Sequence, residues 1–321
     1  MEIRSADYHT AGEPFRIVTD GVEPLRGASI LDKRRDALER LDHVRRLLVH
    51  EPRGHADMYG CFVVEPDDDE ADLGVVFFHN AGYSTACGHG TIALVTWALE
   101  ENVLERHEGE NHVVVDVPSG RLDAWAQVED GHVRSVRFRN VPSFVWAEGV
   151  ELAERTVDIA FGGAFYASVE ERAEPSELPR LIELGRELKR EVEAWQDVVH
   201  PLEPELRDVY GVIFWQEEGE DPLTQRNVTV FADGEVDRSP CGSGTSARLA
   251  LLDRSGRLPR GAELRHRSIV DTEFRARVVG DTDVAGIPAV ITEVEGSAYR
   301  TGTHVFTLDP HDPLADGFLL R

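Results

Sequence analysis

The chain has 321 residues, 60 acidic and 34 basic, for a formal net charge of −26. Hydrophobic residues at 41% and charged residues at 29% make a globular composition, and the length suits about two domains with a core each. The acidity repels phosphate backbones and anionic lipid, so neither nucleic acid nor a membrane surface is expected as a partner.

In chain order, β-like stretches fall at 15–19, 61–64, 75–78, 112–117 and 133–138, then at 156–161, 212–215, 228–231 and 289–294. Gly, Pro and Asp clusters punctuate them, as in a β-rich α+β chain. Leu38, Leu41, Val44 and Leu48 lie at helical spacing and predict a helix over 36–49. Segment 179–199 predicts a longer helix with a large solvated face. Two short apolar segments, 91–99 and 245–252, predict buried helices. The run 65–72 predicts a solvated acidic loop. No apolar run approaches the ~20 residues of a membrane span, and the N-terminus lacks the apolar stretch of a signal peptide. A cytoplasmic protein is expected.

Two scarcities carry information. Three cysteines, Cys61, Cys87 and Cys241, exclude a disulfide scaffold and most structural zinc sites. The two lysines, Lys33 and Lys189, sit in strongly charged stretches. A Schiff-base lysine is ordinarily desolvated, so pyridoxal-phosphate chemistry is not expected.

The sequence repeats itself once. Cys87-Gly-His-Gly-Thr-Ile-Ala-Leu returns as Cys241-Gly-Ser-Gly-Thr-Ser-Ala-Arg-Leu-Ala at an offset of 154 (87 to 241). Each copy follows a β-like stretch and opens a buried helix, which suggests two duplicated domains facing each other. A cysteine at a helix N-terminus sits beside unpaired amides and the positive end of the dipole, and its thiol pKa is expected to fall. The glycines let a ligand approach the backbone, and bare amides suit a carboxylate. Two such helices at one cleft would put a thiol on each face of a bound carboxylate substrate, an arrangement for two-base inversion. A redox pair, a shared metal site and inert core cysteines are the alternatives. No Cys-x-x-Cys is present, no metal motif is required, and two matched glycine-rich frames favour catalysis.

Asp7-Tyr-His-Thr-Ala-Gly-Glu-Pro14, Glu51-Pro-Arg-Gly-His-Ala-Asp-Met-Tyr-Gly60, Gly82-Tyr-Ser-Thr-Ala-Cys-Gly-His-Gly-Thr91 and Asp237-Arg-Ser-Pro-Cys-Gly-Ser-Gly-Thr-Ser-Ala-Arg248 resemble the proline racemase family. Gly296-Ser-Ala-Tyr-Arg-Thr-Gly302 extends the likeness nearly to the C-terminus. The resemblance implies a diaminopimelate-epimerase-like fold, with two pseudo-symmetric β-rich domains each wrapped around a central helix and the active site in the cleft between them. The expected division is 1–150, 151–300, and a segment 301–321 returning to the first domain. Cofactor-independent catalysis by Cys87 and Cys241 is implied, without a metal. Gly88 with His89, and Gly242 with Ser243, would cradle the substrate carboxylate. Asp237 and His89 match positions that bind the imino nitrogen, and Tyr59 and Phe231 match positions lining the ring side. Ala86 departs from the methionine common before the first cysteine, a change expected to affect packing more than chemistry.

His9 and His55 read as hydrogen-bonders holding loops, Glu13 as a supporting or turn residue, and Cys61 as packing. A dehydratase needs one base and an exit for hydroxyl, and dehydratases of this family commonly carry threonine in place of the second cysteine. Both thiols are kept here, which favours inversion. The Cys-Gly-His-Gly form resembles 4-hydroxyproline epimerases, so the expected reaction interconverts trans-4-hydroxy-L-proline and cis-4-hydroxy-D-proline. Proline racemase and trans-3-hydroxy-L-proline dehydratase are the alternatives. A non-catalytic amino-acid-binding or redox-sensing protein is the reading from a different class. A small imino acid is the expected partner, and a homodimer is possible.

Overall fold

A computed structural model describes residues 2–320. Contacts divide the chain into two units, one comprising residues up to Val136 with those from Ser297 onward, the other Arg137–Gly296. Residue 150 lies inside a strand that belongs wholly to the second unit.

The first unit holds β1 (Glu2–Thr10), β2 (Glu13–Asp20), α1 (Ile30–Arg40), α2 (Asp42–Val49), β3 (Tyr59–Val64) and β4 (Leu73–His79). After these come β5 (Gly82–Tyr83), α3 (Gly88–Glu100), β6 (Gly109–Val117) and β7 (Gly120–Glu129). β8 (His132–Arg139) carries the division. The second unit holds β9 (Ser143–Leu152), β10 (Arg155–Phe161), β11 (Phe165–Glu170), α4 (Leu178–Trp195), β12 (Val209–Glu220) and β13 (Leu223–Phe231). It continues with β14 (Glu235–Asp237), α5 (Gly242–Arg254), β15 (Leu264–Arg267), β16 (Glu273–Val284) and β17 (Ile287–Gly296). β18 (Ala298–Thr307) rejoins the first unit.

One topology is built twice. In the first unit the ladder runs β18–β1–β2–β3–β4–β6–β7, parallel at β2–β3 and β4–β6 and antiparallel elsewhere. In the second it runs β9–β10–β11–β12–β13–β15–β16–β17, parallel at β11–β12 and β13–β15. β17 then pairs back onto β9, so the second ladder closes into a barrel with no free edge. Each first parallel step is a crossover through helices, α1 and α2 in one unit and α4 in the other. Each second parallel step encloses the helix that opens with the repeated cysteine motif. α3 packs against β1, β2, β3, β7 and β18, and α5 against β9, β10, β11, β16 and β17. Residues 88–99 and 242–252 are buried without interruption, as a helix surrounded by its own sheet must be.

Four local expectations are corrected. The helix over 36–49 is two helices broken at Leu41, whose ψ of 12° takes it out of helical geometry. α1 starts earlier, at a capping box in which Ser29 and Asp32 bond each other's backbone amides, and it buries Ile30, Lys33 and Ala37 while Leu38 is exposed. Neither lysine is a surface charge: Lys33 Nζ donates to the Glu65 carbonyl at 2.7 Å and Lys189 Nζ to the Ala232 carbonyl at 2.6 Å. Burial pulls the Lys189 pKa down, yet each ammonium serves to hold a strand end and not a reactive centre. The acidic loop is partly structural, since Asp67 accepts from the Ile30 amide at the start of α1. Strands β1 and β16 escaped the sequence because charged residues interrupt their apolar positions, and β18 because threonine, glycine and histidine do. Among the described residues no helix is long and apolar enough to cross a membrane.

Candidate active site

In the first unit the β4–β5 hairpin delivers the chain to Cys87, the N-cap of α3, with an extended φ of −154°. The Gly90 amide donates to Cys87 Sγ at 3.3 Å, the bond a capping side chain makes. The His89 ring nitrogens lie 3.5 and 3.6 Å from the same sulfur. His89 is 4% exposed; Thr10 donates to its carbonyl at 2.8 Å, and Tyr59 meets its ring edge-on at 5.0 Å. A Cβ on Gly90 would stand 2.5 Å from the Phe15 ring and 2.6 Å from Cys87 Sγ, so glycine is required there. Cys87, Gly88, His89 and Tyr59 thus come together.

The second unit repeats the design with a different backbone. Cys241 caps α5 at φ +62°, a left-handed conformation that costs an L-residue about 1–2 kcal/mol. It is held by its own amide donating to Ser239 Oγ at 3.1 Å and by its carbonyl accepting from the Thr245 amide at 2.7 Å. A Cβ on Gly244 would stand 2.9 Å from Cys241 Sγ, the counterpart of Gly90. Asp237 is 4% exposed and accepts from the Ser239 amide at 2.8 Å. Ser243 Oγ lies 2.7 Å from the Tyr166 hydroxyl, which is 3.7 Å from Cys241 Sγ. Phe231, also buried, stacks on Tyr210 at 5.4 Å. Asp237, Cys241, Gly242 and Ser243 form one cluster.

Here the expected acidification of the thiol is overturned for Cys241. Burial pushes its pKa up to about 12, the Asp237 charge adds to the rise, and the Tyr166 hydroxyl, the Gly244 amide and Thr229 only partly oppose them. Desolvation outweighs the helix terminus. Burial likewise lifts Asp237 to about 6, against hydrogen bonds from Ser239 that lower it.

The Asp237 shift has a stability consequence of definite sign. A carboxyl raised in the folded state favours folding while protonated, below about pH 4, and that contribution is lost as pH rises through about 6. A rise of about two units corresponds to about 3 kcal/mol. Asp237→Asn is therefore expected to gain stability over the parent by a few kcal/mol more at pH 8 than at pH 4, measured by urea unfolding. An equal difference at both pH values would refute the assignment.

Sequence reasoning missed Tyr166, Tyr210 and Ser239. A signal existed, because the repeat extends beyond the cysteines. Phe15 and Tyr166, and Tyr59 and Tyr210, recur at an offset of 151 (15 to 166, 59 to 210), the latter two each followed by glycine. His9 Nδ1 accepts from the Gly12 amide at 3.2 Å and so holds the turn between β1 and β2, while His55 is exposed and its Nδ1 lies 2.7 Å from the carbonyl of the adjacent Ala56. Cys61 is fully buried in β3. Among the described residues no group of three or more His, Cys, Asp or Glu could hold a metal ion.

A doubled β-ladder, each copy packed around a helix that opens on a cysteine, is the diaminopimelate-epimerase-like architecture. The proline racemase family model matches residues 5–319. The chain therefore belongs to the proline racemase family. The trans-3-hydroxy-L-proline dehydratase of Bacillus thuringiensis subsp. konkukian is 44% identical over 98% of this chain and 97% of its own length. The 3-hydroxyproline 2-epimerase of Burkholderia multivorans is 46% identical over 99% of this chain and 98% of its own. Among solved structures, a hydroxyproline epimerase from Agrobacterium vitis with bound trans-4-hydroxy-L-proline superposes with a TM-score of 0.93. That protein is 33% identical, and the match covers 99% of this chain and 96% of the other.

Proposed function

We propose that this enzyme inverts Cα of a hydroxyproline by two-thiol acid–base catalysis, trans-4-hydroxy-L-proline to cis-4-hydroxy-D-proline. The observation that carries the reading is the matched pair of cysteines, each capping a buried helix and each packed over a glycine three residues on. Cys87 Sγ takes the Cα proton of the L-isomer, leaving the electron pair delocalised into the carboxylate. The Cys241 S–H then delivers its proton to the opposite face of Cα, and the roles exchange in reverse. A thiol that keeps its proton suits the donor role, which is what the surroundings of Cys241 favour. The amides of Gly88, His89, Gly242 and Ser243 would hold the carboxylate, Asp237 and His89 the imino nitrogen, and Tyr59 and Phe231 the ring.

The names of the Bacillus and Burkholderia relatives favour a second reading, with the hydroxyl at ring position 3 and, for dehydration, its loss as water. Both reactions begin by removing the Cα proton. In trans-3-hydroxy-L-proline that proton and the hydroxyl share one ring face, so dehydration uses one base and leaves the second thiol without a task. Retention of both thiols keeps inversion ahead.

Incubation in D2O with proline and with each hydroxyproline separates the readings by NMR and chiral chromatography. Inversion is expected with one deuteron at Cα, fastest for trans-4-hydroxy-L-proline. Preference for the 3-isomer with inversion would move only the substrate, and a pyrroline product would establish dehydration. No exchange at Cα of any of them would end the two-thiol reading.

A further inference from the structure

The two halves agree in where they put a cysteine and differ in what they put beside it. Phe15 stands three residues after Gly12 (φ 94°), and Tyr166 three residues after Gly163 (φ 102°), each in the strand that leaves a tight turn. Each neighbours the ring at the repeat-related position, Tyr59 at 6.3 Å and Tyr210 at 5.9 Å. Each packs on its own half's motif, Phe15 against Gly90 and Tyr166 against Ser243 and Cys241. One place in the repeat thus holds a phenyl beside Cys87 and a phenol beside Cys241.

The helix ends differ as well. Cys87 receives the Gly90 amide at 3.3 Å, whereas Cys241, turned to φ +62°, meets the Tyr166 hydroxyl at 3.7 Å in addition to the Gly244 amide. A hydroxyl adds what an amide N–H cannot, because it both accepts and donates.

We propose that Tyr166 is a positioning residue for Cys241, its hydroxyl accepting from the thiol and turning to donate to the thiolate, with Ser243 turning in step. While sulfur carries its proton, S–H donates to the Tyr166 oxygen and Tyr166 O–H donates to Ser243. When the proton has gone to Cα, Ser243 O–H donates to Tyr166 and Tyr166 O–H donates to sulfur. No proton leaves the phenol, and the hydrogen-bond chain reverses. The inference rests on the two-thiol reading, and it makes the two thiols chemically unlike within a symmetric design. The phenol pulls the Cys241 pKa down against its burial, in the direction this role requires.

Tyr166→Phe is the conservative test, since phenylalanine already fills the matched place at Phe15. The readout is iodoacetamide labelling of the full-length enzyme at a series of pH values, with Cys87 and Cys241 peptides quantified separately by mass spectrometry. At any pH below the Cys241 midpoint, labelling of Cys241 is expected to fall about tenfold, the equivalent of one pKa unit, while Cys87 is unchanged. Turnover should fall with KM little altered, and Ser243→Ala should give a smaller fall in Cys241 labelling. Unchanged or faster Cys241 labelling, or an equal fall at both thiols, would overturn the assignment. If the parent enzyme shows no Cα exchange but the labelling difference appears, the two-thiol reading fails and the contact between Tyr166 and Cys241 stands.

Discussion

Replacing either Cys87 or Cys241 by serine is expected to lower inversion about 10²–10⁴-fold, the range a positioned proton-transfer group contributes. The two variants should differ in what survives. With Cys241→Ser, Cys87 can still remove and return the proton of the L-isomer, so Cα exchange with retention of configuration should persist from the L side. With Cys87→Ser the surviving exchange should belong to the D-isomer. Deuterium incorporation followed by chiral separation reads both quantities in one sample. Both sulfurs are buried, at 5% and 6% exposure, and serine is close in size, so thermal unfolding should move little. Full activity in both variants would exclude the mechanism, and exchange from the same isomer in both would exclude the assignment of faces.

The second large effect lies in the scaffold. Arg16 on β2 grips Asp7 on β1 through Nε at 3.1 Å and through a terminal nitrogen at 2.7 Å. The same guanidinium donates to the Leu48 carbonyl at the end of α2 and to the Arg53 carbonyl, and it stacks on Phe306 of β18 at 4.3 Å. Side-chain exposures are 6% for Arg16 and 10% for Asp7, so the pair is screened from water. Asp7→Ala leaves that cation buried without its partner, and a loss of about 3–5 kcal/mol is expected by urea unfolding. Arg16→Met should cost a similar amount. The double variant Asp7→Ala/Arg16→Met should cost less than the two losses added together, because no buried charge is left behind. Strict additivity would show that the pair contributes only as two independent side chains.

The thiols were legible because their signals are local. A cysteine, a glycine, a spacer and a second glycine ahead of an apolar stretch define a helix start, and finding the motif twice defines the repeat. α3 and α5 form where the pattern put them. What stayed hidden depends on distance along the chain. Tyr166 reaches Cys241 from 75 positions away, and Thr229 opposes the rise in the Cys241 pKa from β13, so nothing near residue 241 announces either. The thiol pKa was misjudged for the same reason: a helix terminus can be read from sequence, but the desolvation that outweighs it belongs to the closed barrel. The break at Leu41 was missed because apolar spacing carries smoothly from α1 into α2 while the register of burial does not. Leu38, on the expected apolar stripe, is 55% exposed.

The pairing of β1 with β18 has a consequence for how the protein is made. The second barrel has every strand it needs once translation passes Gly296. The first waits for residues 298–307 before β1 gains its outer partner and α3 its full cover. Until then β1, although synthesised long before its partner, keeps a free edge and an uncovered apolar face, the condition that chaperones attend to. Maturation therefore runs against the order of synthesis: the second unit can fold on schedule, and the first is completed by a strand made after it.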